Sequence, residues 1–406
     1  VTHPLRDRQF RRVFLGRSLS TFSDAIVPAA LTLAVVQATG SAGALATVLL
    51  CALLPRLVLL PIGGVIADRF DARKIALTTD LVRAAAQLVV GVELIGGDPQ
   101  LTHIAIAEAV GGAASGCALP TLSPLVIGTV TAEQRQRANS MTGASASLAR
   151  LCGPGIAGLL IFTVGAGWVF VLTAVAFLVS ASLLGSITVR RVEVPRASLR
   201  ADLVAGWTEV RTRGWLWSSL VAHAVWNLAA GVLLTLGPLI AVRQLGGEGV
   251  WVAALQAGGI GLLIGSLAAG RARVSRPVLI ANIALAGYAV PLLLFALAVP
   301  AVWTIGAYGL ALAGLGFLNP TWSTVLQAEV PEHLLARVTA WDWLFSLGAQ
   351  PLGYALAPLA AAHWGDGTPL IIASVLVAVS CLGTAAVPAV RELRARPAVA
   401  VAQPAR

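Results

Sequence analysis

Apolar residues along this chain come in long runs parted by short polar clusters. A membrane-spanning helix needs about 20 mostly apolar residues. Twelve runs reach that length, at roughly residues 13–38, 43–66, 75–96, 102–128, 137–162, 167–188, 216–242, 250–270, 278–298, 301–326, 338–362 and 368–389. The sharpest break is Gly63 to Lys74, where two glycines precede a cluster holding Asp68, Arg69, Arg73 and Lys74. A hinge this short leaves no room for a domain. It predicts a tight loop at one membrane face, with two closely packed helices ending in fixed charges.

The longest polar connection, about Thr188 to Gly214, divides the runs into two sets of six. The expected architecture is therefore an all-α integral membrane protein, with twelve transmembrane helices in two pseudo-symmetric six-helix bundles. The first bundle covers 1–188, a linker 189–214, the second bundle 215–390 and a tail 391–406. Within the linker, the stretch from Leu199 to Trp217 reads as an amphipathic helix with Leu203, Trp207 and Val210 toward lipid. The halves echo each other. Pro120-Thr121 corresponds to Pro320-Thr321, and Arg137 to Arg337, a spacing of half the chain. Such duplication is a recognised transporter plan, with the binding site between the repeats near the membrane midplane. The second-half counterpart of the hinge, Gly270 to Arg273, keeps arginines but has no acid.

Composition agrees with the pattern. The chain is 57% hydrophobic and 11% charged, where soluble domains carry roughly a quarter charged residues. The net charge of +10 does not signal nucleic acid, because the basic residues form short clusters and not the continuous surface that phosphate tracking needs. Cys51, Cys117, Cys152 and Cys381 all lie inside apolar runs, with no metal or disulfide spacing. No metal or cofactor is expected. No G-x-x-x-x-G-K-[ST] phosphate loop occurs. An enzyme is not expected either: the close acidic pair Asp68 and Asp71 is flanked by three basic residues.

Arginine placement sets the expected orientation. With the N-terminus inside, the inner segments hold Arg6, Arg8, Arg11, Arg12, Arg69, Arg73, Lys74, Arg135, Arg137, the linker arginines, Arg271, Arg273, Arg276, Arg337 and the arginines of the tail. The outer loops hold Arg243. Both termini and the Gly63–Lys74 hinge are thus expected in the cytoplasm of a bacterium, with the chain in its inner membrane.

The hinge residues Gly64, Asp68, Arg69 and Arg73-Lys74 resemble the G-x-x-x-D-R-x-x-x-[RK] signature of the major facilitator superfamily. Ala138 to Ser140 and Gly153 to Gly158 resemble its branch with the macrolide efflux pumps and the enterobactin exporter. The resemblance spans the whole chain. It implies a secondary transporter working by alternating access, with helices one, two, four and five lining the cavity in the first half and seven, eight, ten and eleven in the second. It also implies that Gly64, Asp68, Arg69 and Arg73 form a gating latch that holds the outward-facing arrangement, closed on the cytoplasmic side. A carboxylate at a helix C-terminus is unfavourable alone, so Asp68 needs a partner. The chain departs from the signature at Asp71, where glycine is usual, and at Ala72, where arginine is usual. Glu108 stands near where many drug antiporters carry an arginine.

Charges inside spans are costly and point to function. At 1.5 Å per residue, Asp24 and Arg56 lie at matching depths on helices one and two, and Glu108 and Arg150 on helices four and five. Two ion pairs are expected, with Asp24 the first and Glu108 the second proton-carrying group. Asp80 and Arg83 are expected to pair locally on helix three, and Arg17 to join the cavity below Asp24. In the second half Trp226, Asn227, Gln256, Asn319, Trp322, Asp342, Phe345 and Gln350 offer an aromatic and amide lining suited to a bulky, partly apolar ligand. Trp215, Trp217, Trp303 and Trp364 are expected as interface anchors, and His223 as hydrogen-bonded packing. Pro120, Pro154, Pro320 and Pro351 are expected to break helices four, five, ten and eleven.

The expected function is proton-coupled export of small amphipathic molecules: a drug, a siderophore or a secondary metabolite. The expected partners are that substrate, protons and the bilayer, with the protein a monomer and no nucleic acid bound. An importer or facilitator of the same fold remains open, as direction is not written in the sequence. A membrane enzyme or a non-transporting sensor is the alternative from another class.

Overall fold

The computed structural model describes residues 4–118, 121, 125–126, 128–131, 134–187, 199–272 and 274–394, with the side chains of 61–69, 136, 199–203, 205, 332–333 and 336 outside that description. The described residues are helical, with no strand. The first half contains α1 (Arg8–Thr39), α2 (Ala42–Arg69), α3 (Ala72–Ile95), α4 (Leu101–Ala118), α5 (Arg135–Val164) and α6 (Ala166–Gly185). A linker helix follows, α7 (Leu199–Thr212). The second half contains α8 (Gly214–Gln244), α9 (Glu248–Arg271), α10 (Pro277–Ala286), α11 (Ala289–Ala296), α12 (Ala301–Glu329), α13 (Glu332–Gly348), α14 (Gln350–Trp364), α15 (Gly367–Gly383) and the short α16 (Pro388–Glu392).

Local chemistry marks the helix ends. Asp7 caps α1 by accepting from the amides of Gln9 and Phe10 at 2.7 and 3.3 Å. Gly40 ends the same helix in the left-handed region, φ 56°, with its N–H on the Val36 carbonyl. Asp71 caps α3 through the Arg73 amide at 2.9 Å, which gives the aspartate in the hinge a structural use.

Ten stretches are long and apolar enough to cross a membrane by length and composition. The ninth expected span is α10 and α11 in tandem. The fourth and eleventh expected spans account for the difference from twelve. The fourth is represented by α4, of 18 residues, which carries His103 and Glu108. The eleventh is divided at Ala349 into α13 and α14, with Pro351 in the first turn of α14. Proline acts as expected there, because its missing N–H is harmless in a first turn. Pro154 and Pro320, by contrast, lie inside unbroken α5 and α12. Pro120 is outside the described residues.

The duplication is visible in the packing. In the first half α2 lies on α4, α3 on α6, and α1 on α5 and α6. In the second half α9 lies on α12, α11 on α15, and α8 on α14 and α15, which are the same pairs six spans on. Small residues permit the closest crossings. A Cβ at Gly116 of α4 would meet the Arg56 carbonyl of α2 at 2.6 Å, and one at Gly112 would overlap the Ala52 carbonyl. The equivalent second-half crossing is made by Gly261 and Gly265 of α9 against the backbone of α12. Leu310, Val302 and Val379 are more than 60% exposed, an outer surface that only lipid satisfies.

The halves meet through α5 against α9 and α2 against α14. Call the end of the bundle that holds Gly40 the Gly40 end, and the opposite end, beyond α2, the Phe70 end. Gln37 bonds Glu248 at 2.7 Å, Arg243 bonds the Gly40 carbonyl at 2.6 Å, and Gln256 bonds the Leu151 carbonyl at 2.7 Å. Among the described residues the side-chain hydrogen bonds that cross between the halves lie at the Gly40 end or at mid-depth, so the molecule is closed there.

Two expectations about aromatic residues are corrected. Trp207 of α7 turns inward, with ring centroids 5.1 Å from Trp341, 5.7 Å from Phe345 and 5.7 Å from Trp217. Val210 is fully buried. The linker helix therefore docks on α13, whose rings offer a close-packed partner that headgroups cannot, and Leu203 is outside the described side chains. Trp215 is buried against Trp322, centroids 5.7 Å apart. It is core, in the first turn of α8. Trp303 and Trp364 are exposed at the Gly40 end.

Candidate functional site

The first half holds a buried charge network. Asp80 on α3 is fully buried and accepts from Ser20 of α1 at 2.9 Å and Ser180 of α6 at 2.6 Å. Arg83, one turn on, pairs with Asp80 and reaches across to Asp24 of α1 at 2.8 Å. Its guanidinium also stacks over Phe177 of α6, 4.4 Å from the ring centroid. One arginine thus bridges two carboxylates on two helices. The local pair of Asp80 and Arg83 follows from their spacing of three. The reach to Asp24 does not.

The expected pairs Asp24–Arg56 and Glu108–Arg150 are not formed. Matching depth placed these residues, but depth says nothing about which helices touch. Helix α1 packs on α5 and α6, while α2 packs on α4. Asp24 consequently faces α3. Glu108 lies buried on α4 and accepts from Gln87 of α3 at 3.2 Å. Arg150 faces the second half, because α5 carries the contact with α9. Arg56 and Arg150 form no ion pair among the described residues. A cavity of about 90 Å³ nonetheless gathers Asp24, Arg56, Arg83, Gln87 and Glu108. Arg17 is buried nearby, with Nε and Nη1 lacking a hydrogen-bond partner among the described residues.

A larger cavity, about 540 Å³, lies between the halves. Trp226, Asn227, Asn319 and Trp322 line it, together with Arg150, His223, Asp342 and Trp343. Arg17 and Gln350 do not. Arg17 is enclosed by the charge network, and Gln350 bonds the Tyr354 hydroxyl at 2.8 Å. Trp322 donates Nε1–H to the Asp342 carboxylate at 3.0 Å. His223 is edge-on to Trp322 and within 3.3 Å of Asn282, which in turn bonds Ser219. The lining extends to Gln327 and Leu335, beside the α12–α13 turn at the Phe70 end.

Of the hinge residues, the side chains of Gly64, Asp68 and Arg69 are outside the described set. Arg73 bonds the Leu184 carbonyl at 3.2 Å and also the Gly185 carbonyl. It thereby satisfies the open carbonyls at the C-terminus of α6, within its own half.

Two repeated helical bundles, an apolar exterior and a cavity shared between the bundles define a membrane carrier, with the site between its repeats. The sequence places the carrier more closely: the Major Facilitator Superfamily profile matches residues 13–345, and the chain belongs to that family of transporters. It is 29% identical over 403 residues to the multidrug efflux pump Tap of Mycobacterium tuberculosis, covering 91% of each chain. It is 26% identical over 391 residues to the enterobactin exporter EntS of Shigella flexneri, covering 93% of this chain and 91% of the other. Macrolide efflux protein A of Streptococcus pyogenes is 26% identical over 258 residues, or 60% of this chain and 62% of that one. Among solved structures, the nucleoside transporter NupG superposes with a TM-score of 0.74 at 11% identity, covering 93% of this chain and 99% of the other. The D-xylose-proton symporter gives 0.68 at 14% identity, covering 93% and 96%. Both likenesses concern the fold.

Proposed function

We propose that this transporter exports small amphipathic molecules across the bacterial cytoplasmic membrane by alternating access, driven by the proton gradient. The observation that carries the reading is the cavity of about 540 Å³ walled by both halves, in a molecule sealed at the Gly40 end. The arginine bias puts the Phe70 end and both termini in the cytoplasm. In that orientation the cavity receives ligand from inside the cell. The exporters Tap and EntS, similar over at least nine-tenths of the chain, support the outward direction.

Asp24 is the first proton carrier in this scheme. Protonation would release it from Arg83 and so loosen α1 from α3. Arg56, facing the same small cavity, offers a second partner for the released charge network, and Glu108 is the second titrating group. The latch at Gly64, Asp68, Arg69 and Arg73 would close the cytoplasmic side in the outward-facing arrangement. The two bundles, joined by the 189–214 linker, work as one monomer.

The test is dye or drug efflux in a host lacking its own pumps, with and without a protonophore, followed by proteoliposome assays that record substrate and protons together. Efflux that survives collapse of the proton gradient would refute the coupling. Asp24→Asn is expected to abolish substrate-linked proton release. Full coupled transport in that variant would remove Asp24 from the mechanism. A cysteine pair joining the hinge to Val338 is expected to cross-link mainly in the outward-open state, and equal cross-linking in both states would sink the latch.

A further inference from the structure

The large cavity is electrically two-ended. On the second-half wall, the Asp342 carboxylate is held by two neutral donors, Trp322 Nε1 and the Ser346 hydroxyl. It has no cation within ion-pair distance among the described residues. On the first-half wall, Arg150 is exposed and lines the cavity, with neither an ion pair nor a side-chain hydrogen bond among the described residues. Trp226 is 93% buried, lines the same cavity, and its Nε1–H has no acceptor.

Each of these groups is costly to leave in an apolar cavity. A carboxylate given only neutral donors retains an unbalanced charge, and an unpaired buried donor forfeits its hydration. The two charges form no ion pair with each other among the described residues, yet they face one volume. Trp322 and Trp343 line the cavity together with Asp342, where a weakly hydrated organic cation can gain from both the carboxylate and the rings. The basic end offers a guanidinium fork, which suits a carboxylate or a comparable anionic group.

We propose that the ligand is a zwitterionic amphipath, whose cationic end docks on Asp342 between the tryptophans and whose anionic end docks on Arg150. The inference rests on reading this cavity as the substrate site. It adds that the ligand itself ties the halves together, since Arg150 comes from α5 and Asp342 from α13. A ligand with one charge would leave one wall unbalanced and would lack this bridge.

The experiment measures equilibrium binding of three dyes to the full chain in nanodiscs by fluorescence anisotropy. Rhodamine B supplies the zwitterion, its methyl ester the cation with the same rings, and Nile red a neutral control. Rhodamine B is expected to bind more tightly than its ester. Asp342→Asn is expected to weaken both rhodamines about tenfold or more, and Arg150→Gln to weaken rhodamine B about tenfold while leaving the ester within about threefold. Nile red binding is expected to stay within about twofold in both variants, which shows that the cavity still forms. Unchanged rhodamine affinity in Asp342→Asn overturns the inference. So does equal loss of ester and zwitterion in Arg150→Gln, which indicates a general effect of the arginine. Either result with intact Nile red binding leaves the cavity reading standing. That reading fails separately if none of the dyes binds, or if filling the cavity by Leu318→Trp displaces none of them.

Discussion

Replacing Arg83 with leucine strands two carboxylates at once. Arg83 is 3% exposed and is the partner of both Asp24, at 2.8 Å, and the fully buried Asp80. Breaking a buried pair by removing one partner costs about 3–5 kcal/mol. Two features set where in that range the loss falls. Ser20 and Ser180 go on donating to Asp80, which softens it. A stranded carboxyl can also take up a proton, and for a free aspartic acid at pH 7 that costs about 4 kcal/mol, a ceiling on the penalty. Loss of the ring contact with Phe177 adds about 0.5–1 kcal/mol. The expected cost of Arg83→Leu is therefore about 3.5–5 kcal/mol. For a six-helix half this lowers the melting temperature by about 7–20 °C. The assay is thermal unfolding in detergent, followed by tryptophan fluorescence. Arg56→Leu is the control, expected within about 1 kcal/mol of the parent because Arg56 is exposed and forms no ion pair among the described residues. Asp80→Leu combined with Arg83→Leu is expected to recover part of the loss, since the fully buried charge is then gone and the carboxylate left unpaired, Asp24, is partly exposed. Equal damage from Arg56→Leu and Arg83→Leu would refute the assignment of the pair, as would a melt of Arg83→Leu within about 2 °C of the parent.

Gly112→Leu drives a side chain into the Ala52 backbone and is expected to cost about 1–3 kcal/mol or more. Gly143→Leu, with nothing within 4 Å of the added carbon, is expected within about 0.5 kcal/mol; similar melts for the two would disprove the close α2–α4 crossing. Trp207→Ala removes three ring contacts, worth about 0.5–1.5 kcal/mol each, and is expected to speed trypsin cleavage near Arg211 about tenfold or more, with Trp207→Phe nearer the parent. Unchanged cleavage would mean that α7 is held elsewhere. Gly158→Cys with Val252→Cys, in a background without the four native cysteines, joins α5 to α9 where the added carbon would lie 3.3 Å from the valine Cβ, close to the disulfide range. The bond is expected to form in the resting protein and to stop transport until reduced; failure to form would count against closure at the Gly40 end.

The apolar runs carried most of the architecture. Lipid imposes one demand on every span, a helix of about 20 apolar residues with its own hydrogen bonds. That demand is local, so it is readable residue by residue. The repeat of Pro120-Thr121 at Pro320-Thr321 exposed the duplication for the same reason, since corresponding helices carry corresponding local signals. That Trp226 of α8 and Trp322 of α12 lie well inside their spans was legible too, by counting from the span ends.

Partnership between helices was not legible. Depth along a helix follows from counting at 1.5 Å per residue. Azimuth and neighbour depend on how the helices pack, and consecutive helices here need not be main packing partners. Asp24 and Arg56 match in depth, yet α1 lies on α5 and α6 while α2 lies on α4. Asp24 therefore found Arg83. Glu108 and Arg150 failed for the same reason, and their separation left Arg150 facing the cavity. The linker helix was placed on lipid because its sequence shows an apolar face but not what covers it; Trp341 and Phe345, over 130 residues away, do so. The sequence by itself determined the spans, the two halves and the stock of buried charge, since each rests on local composition and periodicity. Only the tertiary structure decided which charges neutralise each other and which remain free to meet a ligand, because that depends on side chains brought together from distant parts of the chain.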